Sequence, residues 1–420
     1  MRLQSLRAAF RIGDLRRRIF FTFLMFLVFR IGVHVPVPGI DTEIIKDLFR
    51  EGSLFGLLDL FSGGALRSFS VFAMNIYPYI NASIIMQLLT MVIPAWEKMS
   101  KEEDGKKKLQ QYVRYGTVVL GFIQGVGMGF AIRSQGALVN PSSFHVVTIG
   151  VTLTAGTVFL MWLGELITDK GIGNGISLII FAGIVSALPG GLVNMMRLTL
   201  AGRISIFNIA ALGVMGALLI VAIIWVTEGE RRIPVQYAKR VVGRKMYGGQ
   251  STHIPMRINQ AGVIPVIFAS SVLAFPATIA SFINAPWART VEQLFDFRKP
   301  LYMITYAALI MFFTYFYTAM TFNPAEVADN MKKYGGFIPG YRPGRPTTEY
   351  LDRVLTRITL VGAVFLASVA VLPNIIMNLT NIPGASFSGT ALIIVVGVAL
   401  ETMKQIEAHL IMRNYRGFMK

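Results

Sequence analysis

The sequence predicts an all-α integral membrane protein with ten transmembrane helices, and three observations lead to this fold class. Of its 420 residues, 54% are hydrophobic and only 15% are charged, whereas soluble domains carry about 25% charged residues. Long runs contain no Asp, Glu, Lys or Arg, and about 20 apolar residues are enough to cross a bilayer. Finally, the basic residues are concentrated in alternate connections between these runs, which is the charge bias of membrane proteins.

The ten spans follow from the chain in order. An apolar piece at 19–35, interrupted only by Arg30, predicts the first span. Charge-free runs predict the next seven, at 68–96, 115–132, 134–164, 171–196, 204–227, 258–288 and 300–325. The last run, 358–400, is long enough for two spans, and we expect a break between Pro373 and Pro383.

Basic residues fix the expected orientation. One set of alternate connections, with both termini, holds 30 Lys and Arg residues, and the opposite set holds nine. This asymmetry predicts that both termini are cytoplasmic, and it accounts for most of the net charge of +18. No cysteine is present, which excludes disulfides and thiol chemistry. We expect no cleavable signal peptide, because no small-residue cleavage site follows the first apolar run.

Residues 54–96 are the stretch around which the chain is organised. Gly63 and Gly64 precede a predicted short helix-like piece at 65–72, a pattern typical of a re-entrant element, which needs protein or water around its backbone. A helical stripe then runs from aliphatic to polar, through Ile76, Ile80, Ser83, Gln87 and Thr90. It predicts a cavity that narrows to an apolar constriction. An ordinary interhelical contact, with Gln87 bonded to a neighbour, is the alternative that this segment alone favours.

Three connections have distinctive sequences. Residues 165–175 predict a tight turn between the fourth and fifth spans, and their glycines are no phosphate loop, because no strand precedes them. Alternating residues at 228–257 predict a cytoplasmic hairpin with a turn at 248–249, and 326–357 carry a rigid basic tip with two aromatic residues. Loops of this length and charge predict an acidic or RNA-rich partner.

Two other classes of function were weighed. An enzyme is disfavoured, because the four histidines are scattered and neither a zinc-protease motif nor a nucleotide-binding loop is present. A secondary solute transporter is the stronger rival, since ten spans and broken helices suit one. Transporters generally need a charged or ion-coordinating site near the membrane midplane, and the centres of the second to tenth spans hold no acidic or basic residue.

Six sequence blocks, in order along nearly the whole chain, resemble the bacterial SecY family. They are FSGGAL at 61–66, PYINASIIMQLL at 78–89, MWLGE at 161–165, GIGNGIS at 171–177, AGVIP at 261–265 and FNP at 322–324. Each block is a weak signal alone, and the six together are specific.

The resemblance implies a channel in the bacterial plasma (inner) membrane that conducts unfolded secretory polypeptides and releases transmembrane segments sideways through a lateral gate. Signal sequences open it, and external partners drive it. Its two five-span halves, 1–196 and 197–420, form an inverted repeat and close like a clamshell around an hourglass pore. The implied partners are SecE, SecG, the SecA motor and the ribosome with its RNA. No cofactor, metal or catalytic residue is implied.

The resemblance also implies roles for individual residues. The resemblance assigns six isoleucines to a pore ring, namely Ile76, Ile80, Ile176, Ile180, Ile267 and Ile394. Periodicity alone would favour ordinary core positions for them. A plug covers about 60–71, with Leu60, Phe61, Ser62, Gly63, Gly64, Ala65, Leu66, Arg67 and Ser68. The gate, between spans two and three and spans seven and eight, takes a polar cluster of Gln87, Asn174 and Ser271. The resemblance assigns docking of the ribosome or SecA to Arg244, Lys245 and Arg342. Glu401 is left open between a funnel position and the membrane interface.

Overall fold

The computed structural model describes residues 10, 12–41, 59, 62–202, 205–237, 240–242, 245–247, 251–281, 287, 290, 299–380 and 388–417. Its helices are α1 (Gly13–Val33), α2 (Tyr77–Val92), α3 (Pro94–Lys101), α4 (Glu103–Ser134), α5 (Ser143–Lys170), α6 (Gly175–Leu200), α7 (Ile206–Glu228), α8 (Ile264–Ser281), α9 (Pro300–Thr321), α10 (Pro324–Lys333), α11 (Arg345–Thr380) and α12 (Gly389–Gly417). Its strands are β1 (Glu230–Tyr237), β2 (Arg240–Val242), β3 (Lys245–Tyr247), β4 (Ser251–Arg257) and β5 (Gly336–Phe337).

Ten helices of the described chain occupy the ten predicted spans: α1, α2, α4 to α9, α11 and α12. Seven of them lie in segments long and apolar enough to cross a membrane on their own, namely Glu103–Ser134, Ser143–Lys170, Gly175–Leu200, Ile206–Glu228, Pro300–Lys333, Arg345–Ile376 and Gly389–Met412. The bent pair of α2 and α3 makes an eighth. α1 falls short because arginines at 16–18 and at 30 shorten its apolar part, and α8 because it is a shorter apolar helix with Pro276 inside it.

The helices pack in two groups. α1, α2, α4, α5 and α6 contact one another, and so do α7, α8, α9, α11 and α12. Contacts of α8 with α2 and α4, and of α12 with α6, join the groups. Glycines allow the closest approaches within a group: a Cβ on Gly125 of α4 would lie 3.0 Å from the carbonyl oxygen of Gly150 on α5. Small residues at helix contacts are typical of membrane proteins.

The charge-free run 68–96 was predicted as one span, but the structure does not form one straight helix over it. α2 covers only Tyr77–Val92, and the chain then bends by 107° into α3. The cause is local, because the residue before a proline is driven to extended backbone, and Ile93 before Pro94 has φ −99° and ψ 110°. The helix of the second span therefore ends sooner than the sequence indicates.

The predicted helix-like piece at 65–72 is also wrong. Residues 62–76, called the turn segment from here on, form successive turns. Phe69 and Asn75 have φ values of 41° and 49°, a left-handed backbone that a regular helix excludes. The turn segment is instead pinned to the end of the first span, because the Val37 N–H donates to Phe69 O at 3.0 Å and the Val71 N–H to Val35 O at 2.9 Å.

The predicted break in run 358–400 falls between Thr380 and Gly389, which overlaps the end of the expected range. α11 continues through Pro373 to Thr380, and α12 begins at Gly389. A proline inside a helix frees the carbonyl four residues earlier, here that of Val369. Gly389 packs directly on this oxygen, since a Cβ on Gly389 would lie 2.0 Å from it. The packing of α12 on α11 thus fills the space at the proline.

The two long loops form one unit. β1 and β4 pair antiparallel from Glu230 with Arg257 to Gln236 with Ser251, which confirms the hairpin. β2 and β3 continue the same register to the pair of Val242 with Lys245, so the chain reverses between these two residues and the predicted turn at 248–249 is wrong. β5 pairs with the other edge of β1, giving the order β4-β1-β5. A separate core beneath the sheet includes Val235, Met256, Ile338 and Leu351. We call this end of the helix bundle, which carries the sheet, the strand end.

Candidate functional site

Five of the six predicted ring isoleucines line one small cavity at the centre of the bundle. They come from the start of α2 and from α6, α8 and α12: Ile76, Ile80, Ile180, Ile267 and Ile394. Each is less than 10% exposed, and the cavity between them measures about 10 Å³. That is about the smallest volume that holds one water molecule. We call this constriction the waist.

Ile176, the sixth predicted member, does not line the waist cavity. It lies against α5, where its Cγ1 would be 3.1 Å from a Cβ on Gly164. Asn75, Tyr77 and Ser270 also line the waist cavity and were not predicted from the sequence. Ser270 lies three residues after Ile267, so helical spacing could have found it.

A larger cavity lies between the waist and the strand end. It measures about 450 Å³, and its lining joins the ends of α7 and α9, the start of α8 and the stretch of α12 from Ile393 to Ala408. Ile393 lines this cavity, and the adjacent Ile394 lines the waist. Polar and charged lining residues include Arg257, Asn259, Gln260, Glu401 and Lys404. Glu401 thus lines this cavity.

The turn segment lies on the other side of the waist. Leu66 and Phe69 are buried there, at 2% exposed each, in a cluster with residues of α4 and α5. Ala65 is fully buried and belongs to the cluster that includes the waist isoleucines. α5 fits directly on its backbone, because a Cβ on Gly156 would lie 1.9 Å from Val71 O. The segment therefore fills the end of the bundle opposite the strand end.

Asp59 closes the start of the turn segment. Its Oδ1 accepts the Arg67 backbone N–H at 2.8 Å and the Ser62 hydroxyl at 3.4 Å. Burial raises the pKa of the Asp59 carboxyl, and the hydrogen bond from Arg67 opposes this shift. Of the predicted plug residues, Ser62, Gly63, Gly64, Ala65, Leu66, Arg67 and Ser68 lie in the turn segment, while Leu60 and Phe61 lie outside the described residues.

The predicted polar cluster of the gate is not a hydrogen-bonded cluster within the described residues. Gln87 donates to Ser83 of its own helix at 3.2 Å, and its Oε1 is buried without a partner. Asn174 accepts the Ile176 and Ser177 N–H groups at 3.1 and 3.2 Å and so caps α6. The Ser271 hydroxyl is buried and unpartnered. Polar residue type suggested hydrogen bonds between helices, but Gln87 and Asn174 bond within their own helices.

We call the contact of α8 with α2 and α4 the seam. It encloses a cavity of about 50 Å³ that reaches from the turn segment to α8. Polar residues of three helices face it, Asn81 on α2, Gln124 on α4 and Ser271 on α8. The seam is thus loosely packed and partly polar.

A second junction lies at the strand end, where the tight loop 171–174 meets α1 and α12. The Gly173 N–H donates to Gln405 Oε1 at 2.9 Å, and the Ile172 N–H donates to Thr22 Oγ1 at 3.2 Å. Ile172 also packs with Leu15 and Ile406. We call this junction the clasp. It confirms the predicted tight turn.

The docking residues fall on the sheet unit and its neighbours. Arg342 is exposed on a tip where Tyr341 stacks on Tyr350, with ring centroids 4.2 Å apart. The Arg342 carbonyl accepts the Thr347 hydroxyl at 2.8 Å, which fixes the tip. The backbone of Lys245 belongs to β3, and Arg244 lies outside the described residues.

Comparison with known proteins identifies the family. The SecY family model matches residues 70–403. Protein translocase subunit SecY of Halalkalibacterium halodurans is 52% identical over 423 residues, covering 98% of each chain. Two solved structures share the fold, each covering 94% of this chain and 92% of its own. One, described as showing that the plug domain of SecY stabilises the closed translocation channel and maintains a membrane seal, has a TM-score of 0.66 at 18% identity.

The other solved structure is Sec61 in the canine ribosome-channel complex from the endoplasmic reticulum, with a TM-score of 0.63 at 17% identity. At this level of identity both structures report the fold. The family model and the translocase relative, each covering most of the chain, decide the family. The chain therefore belongs to the SecY family.

Proposed function

We propose that this protein is a protein-conducting channel, not an enzyme, which passes unfolded secretory polypeptides across the membrane. The observation that carries this proposal is the waist of isoleucines between a polar cavity of about 450 Å³ and the buried turn segment. A wet vestibule, a narrow apolar ring and a covered exit are the parts that such a channel needs. The names of the translocase relative and of the channel structures agree with this function.

The waist keeps the resting channel closed to ions. Branched aliphatic side chains offer an ion no ligands, and a hydrophobic constriction this narrow can lose its water. Isoleucine side chains on four separate helices can move apart when those helices move. The pore ring of Ile76, Ile80, Ile180, Ile267 and Ile394, with Ile176 beside it, would then close around a passing chain and limit the leak.

The turn segment up to residue 71 belongs to the plug in this proposal, and the seam is the lateral gate. The plug covers the side of the waist opposite the strand end. The gate polar residues Gln87 and Ser271 belong to the helices of the seam. Asn174 caps α6, the helix that carries the ring residue Ile180. Parting the seam would expose the pore to lipid, so that an apolar signal sequence or transmembrane segment could leave sideways.

The proposed halves are residues 1–196 and 197–420. The two packing groups of helices support this division, since the first holds the helices from α1 to α6 and the second those from α7 to α12. An inverted repeat of this kind is common in membrane transport proteins. Opening would move one half against the other.

We place the strand end and both termini in the cytoplasm, and the protein in the bacterial inner membrane. The count of 30 basic residues against nine supports this orientation. The sheet unit then projects toward cytoplasmic partners, with Arg342 on its tip and Arg244 and Lys245 in the hairpin. The proposed partners are the ribosome and the SecA motor there, and SecE and SecG in the membrane.

The function is tested by reconstituting the chain in lipid vesicles with SecE, SecA and ATP. A secretory polypeptide added outside should become protected from protease, and the same polypeptide without its signal sequence should not. Equal protection of the two polypeptides, or none, would overturn the proposal.

A secondary solute transporter is the rival function. The number of spans and the broken helices favour it, but the residues around the waist cavity are uncharged. Vesicles that contain this chain alone should take up no solute above the level of empty vesicles. Saturable uptake of a solute would favour the transporter.

Docking is tested by Arg342→Glu, which reverses a charge on an exposed and folded tip. We expect the variant to reach the membrane in normal amounts but to lose SecA-driven translocation. Glu349→Lys is the control for an exposed charge reversal on the following helix, and it should leave translocation intact. Normal translocation by Arg342→Glu would remove this residue from the docking site.

A further inference from the structure

Arg30 is the one cation inside the apolar part of α1, and the sequence analysis treated it only as an interruption. Ionisable residues within membrane spans are rare and expensive unless they have partners, and they mark functional sites by default. Arg30 is half-buried, and within the described residues no carboxylate pairs with it. Its partners are a backbone carbonyl and a hydroxyl.

The guanidinium group joins three elements through one nitrogen. Arg30 Nη1 donates to Gly63 O at 2.8 Å and to Ser186 Oγ at 3.2 Å. Gly63 begins the turn segment and Ser186 lies on α6, so α1 holds the turn segment against the helix that carries Ile180. Hydrogen bonds from a charged donor are stronger than those between neutral groups.

The backbone of Gly63 is built for this contact. A Cβ there would lie 2.7 Å from Ser186 Oγ and 3.0 Å from Gly183 Cα. Gly63 therefore lets the turn segment touch α6 directly, which places its carbonyl in reach of Arg30. The adjacent Gly64 has the same left-handed backbone, with φ 91° against 67°, but nothing lies within 4 Å of its Cβ position.

We propose that Arg30 is a latch that holds the turn segment in its closed position. The inference rests on the proposed function of the turn segment as the plug of the channel. The latch is reversible, because water in an opened channel can replace both acceptors of the guanidinium group. The closed state alone offers Arg30 the Gly63 carbonyl and the Ser186 hydroxyl together, so the two hydrogen bonds bias the channel toward closure.

The test compares Arg30→Gln with Arg133→Gln. Arg133 also lies at the end of the bundle opposite the strand end, but it is exposed and donates only weakly, to Ser143 at 3.4 Å. We measure the resting ion conductance of the full channel in bilayers, and export of a secretory protein with a marginal signal sequence. Arg30→Gln should raise both about tenfold, as expected for losing a hydrogen bond from a charged group. Arg133→Gln should change neither.

A second pair, Gly63→Ala and Gly64→Ala, decides the matter if Arg30→Gln does not accumulate. Both substitutions strain a left-handed backbone, but only Gly63→Ala pushes the turn segment off α6. Leak should rise in Gly63→Ala alone. Equal leak in both members of either pair would overturn the latch. A wild-type channel without signal-dependent export would instead refute the proposed function, so the two failures are distinguishable.

Discussion

The clasp and the seam both join the first group of helices to the second, and they differ in how their polar groups are bonded. At the clasp, the N–H groups of Ile172 and Gly173 have side-chain acceptors at 3.2 and 2.9 Å. On the helices of the seam, Gln87 Oε1 and Ser271 Oγ are buried without a partner among the described residues. Ser271 also lines the seam cavity of about 50 Å³. Unpartnered polar atoms and voids both weaken a contact.

The difference shows which contact can open. Separating the seam exposes polar atoms that gain water and breaks no hydrogen bond among those described between α2 and α8. Separating the two groups at the clasp breaks the hydrogen bond from the buried Gly173 N–H to Gln405, whereas the bond between Ile172 and Thr22 lies within the first group. The channel should therefore open at the seam and remain joined at the clasp. Four predictions test this contrast, from the largest expected effect to the smallest.

The largest effect is expected from Gly173→Val at the clasp. Gly173 has φ 91°, and a Cβ there would lie 2.7 Å from Leu178 Cδ1 and 3.1 Å from Thr402 Oγ1. Strain and overpacking together should cost about 3 kcal/mol of stability, read as a lower thermal midpoint of the purified protein. The control Gly202→Val shares the left-handed backbone but meets open space. Equal losses would mean that the clasp packing is unimportant.

Gln405→Leu should cost about 1 to 3 kcal/mol, because it leaves the buried Gly173 N–H without its acceptor. Gln405→Glu keeps a carboxylate oxygen at the same reach and should retain most of the stability. Chemical unfolding of the two variants in the same detergent measures the difference. A Gln405→Leu midpoint equal to the wild-type value would show that the clasp bond contributes nothing.

Gln87→Leu and Asn174→Leu should have different effects on stability and export, although the family resemblance groups these residues in one cluster. Asn174→Leu removes a helix cap and should cost about 1 kcal/mol of stability. Gln87→Leu removes a buried amide from the seam, so it should alter how hydrophobic an exported signal must be without lowering the midpoint. A graded series of signal sequences measures the threshold. Unchanged export of a marginal signal in Gln87→Leu would remove this residue from the gate.

Ser271→Ala should have the smallest effect, within about 0.5 kcal/mol of the wild type, because its hydroxyl has no described partner to lose. Thr157→Val is the matched control, since the Thr157 hydroxyl donates to Asn75 O at 3.2 Å in the interior. That variant should lose about 1 kcal/mol. If Ser271→Ala were the more damaging change, the seam would be better bonded than the contrast requires.

The ten spans could be predicted from sequence because a bilayer imposes length and apolarity on each helix separately. The turn segment could not, since the left-handed backbone of Phe69 and Asn75 depends on its bridge to residues 35–37. Pairing of β1 with β5 joins residues about a hundred positions apart, and periodicity carries no signal of that. Residue type also did not reveal bonding: Asn174 caps its own helix, and Arg30 binds the turn segment.

Ring residues were predictable only in part. Family resemblance assigned six isoleucines, and five of them share the waist cavity. Ile176 turns toward Gly164 because it begins α6 against α5, which is a consequence of the tight turn at 171–174. Tyr77 and Ser270 line the same cavity. They were not predicted because the ring was expected to consist of apolar side chains.

Crosslinking to a single introduced cysteine tests most directly whether a polypeptide passes the waist. The chain has no native cysteine, so Ile80→Cys and Trp225→Cys each give one reactive site, the latter on a residue of α7 that is 80% exposed. A stalled secretory chain carrying a thiol probe should crosslink to position 80 only when its signal sequence is intact, and not to position 225. Equal crosslinking at both positions, or none at position 80, would contradict a route through the waist.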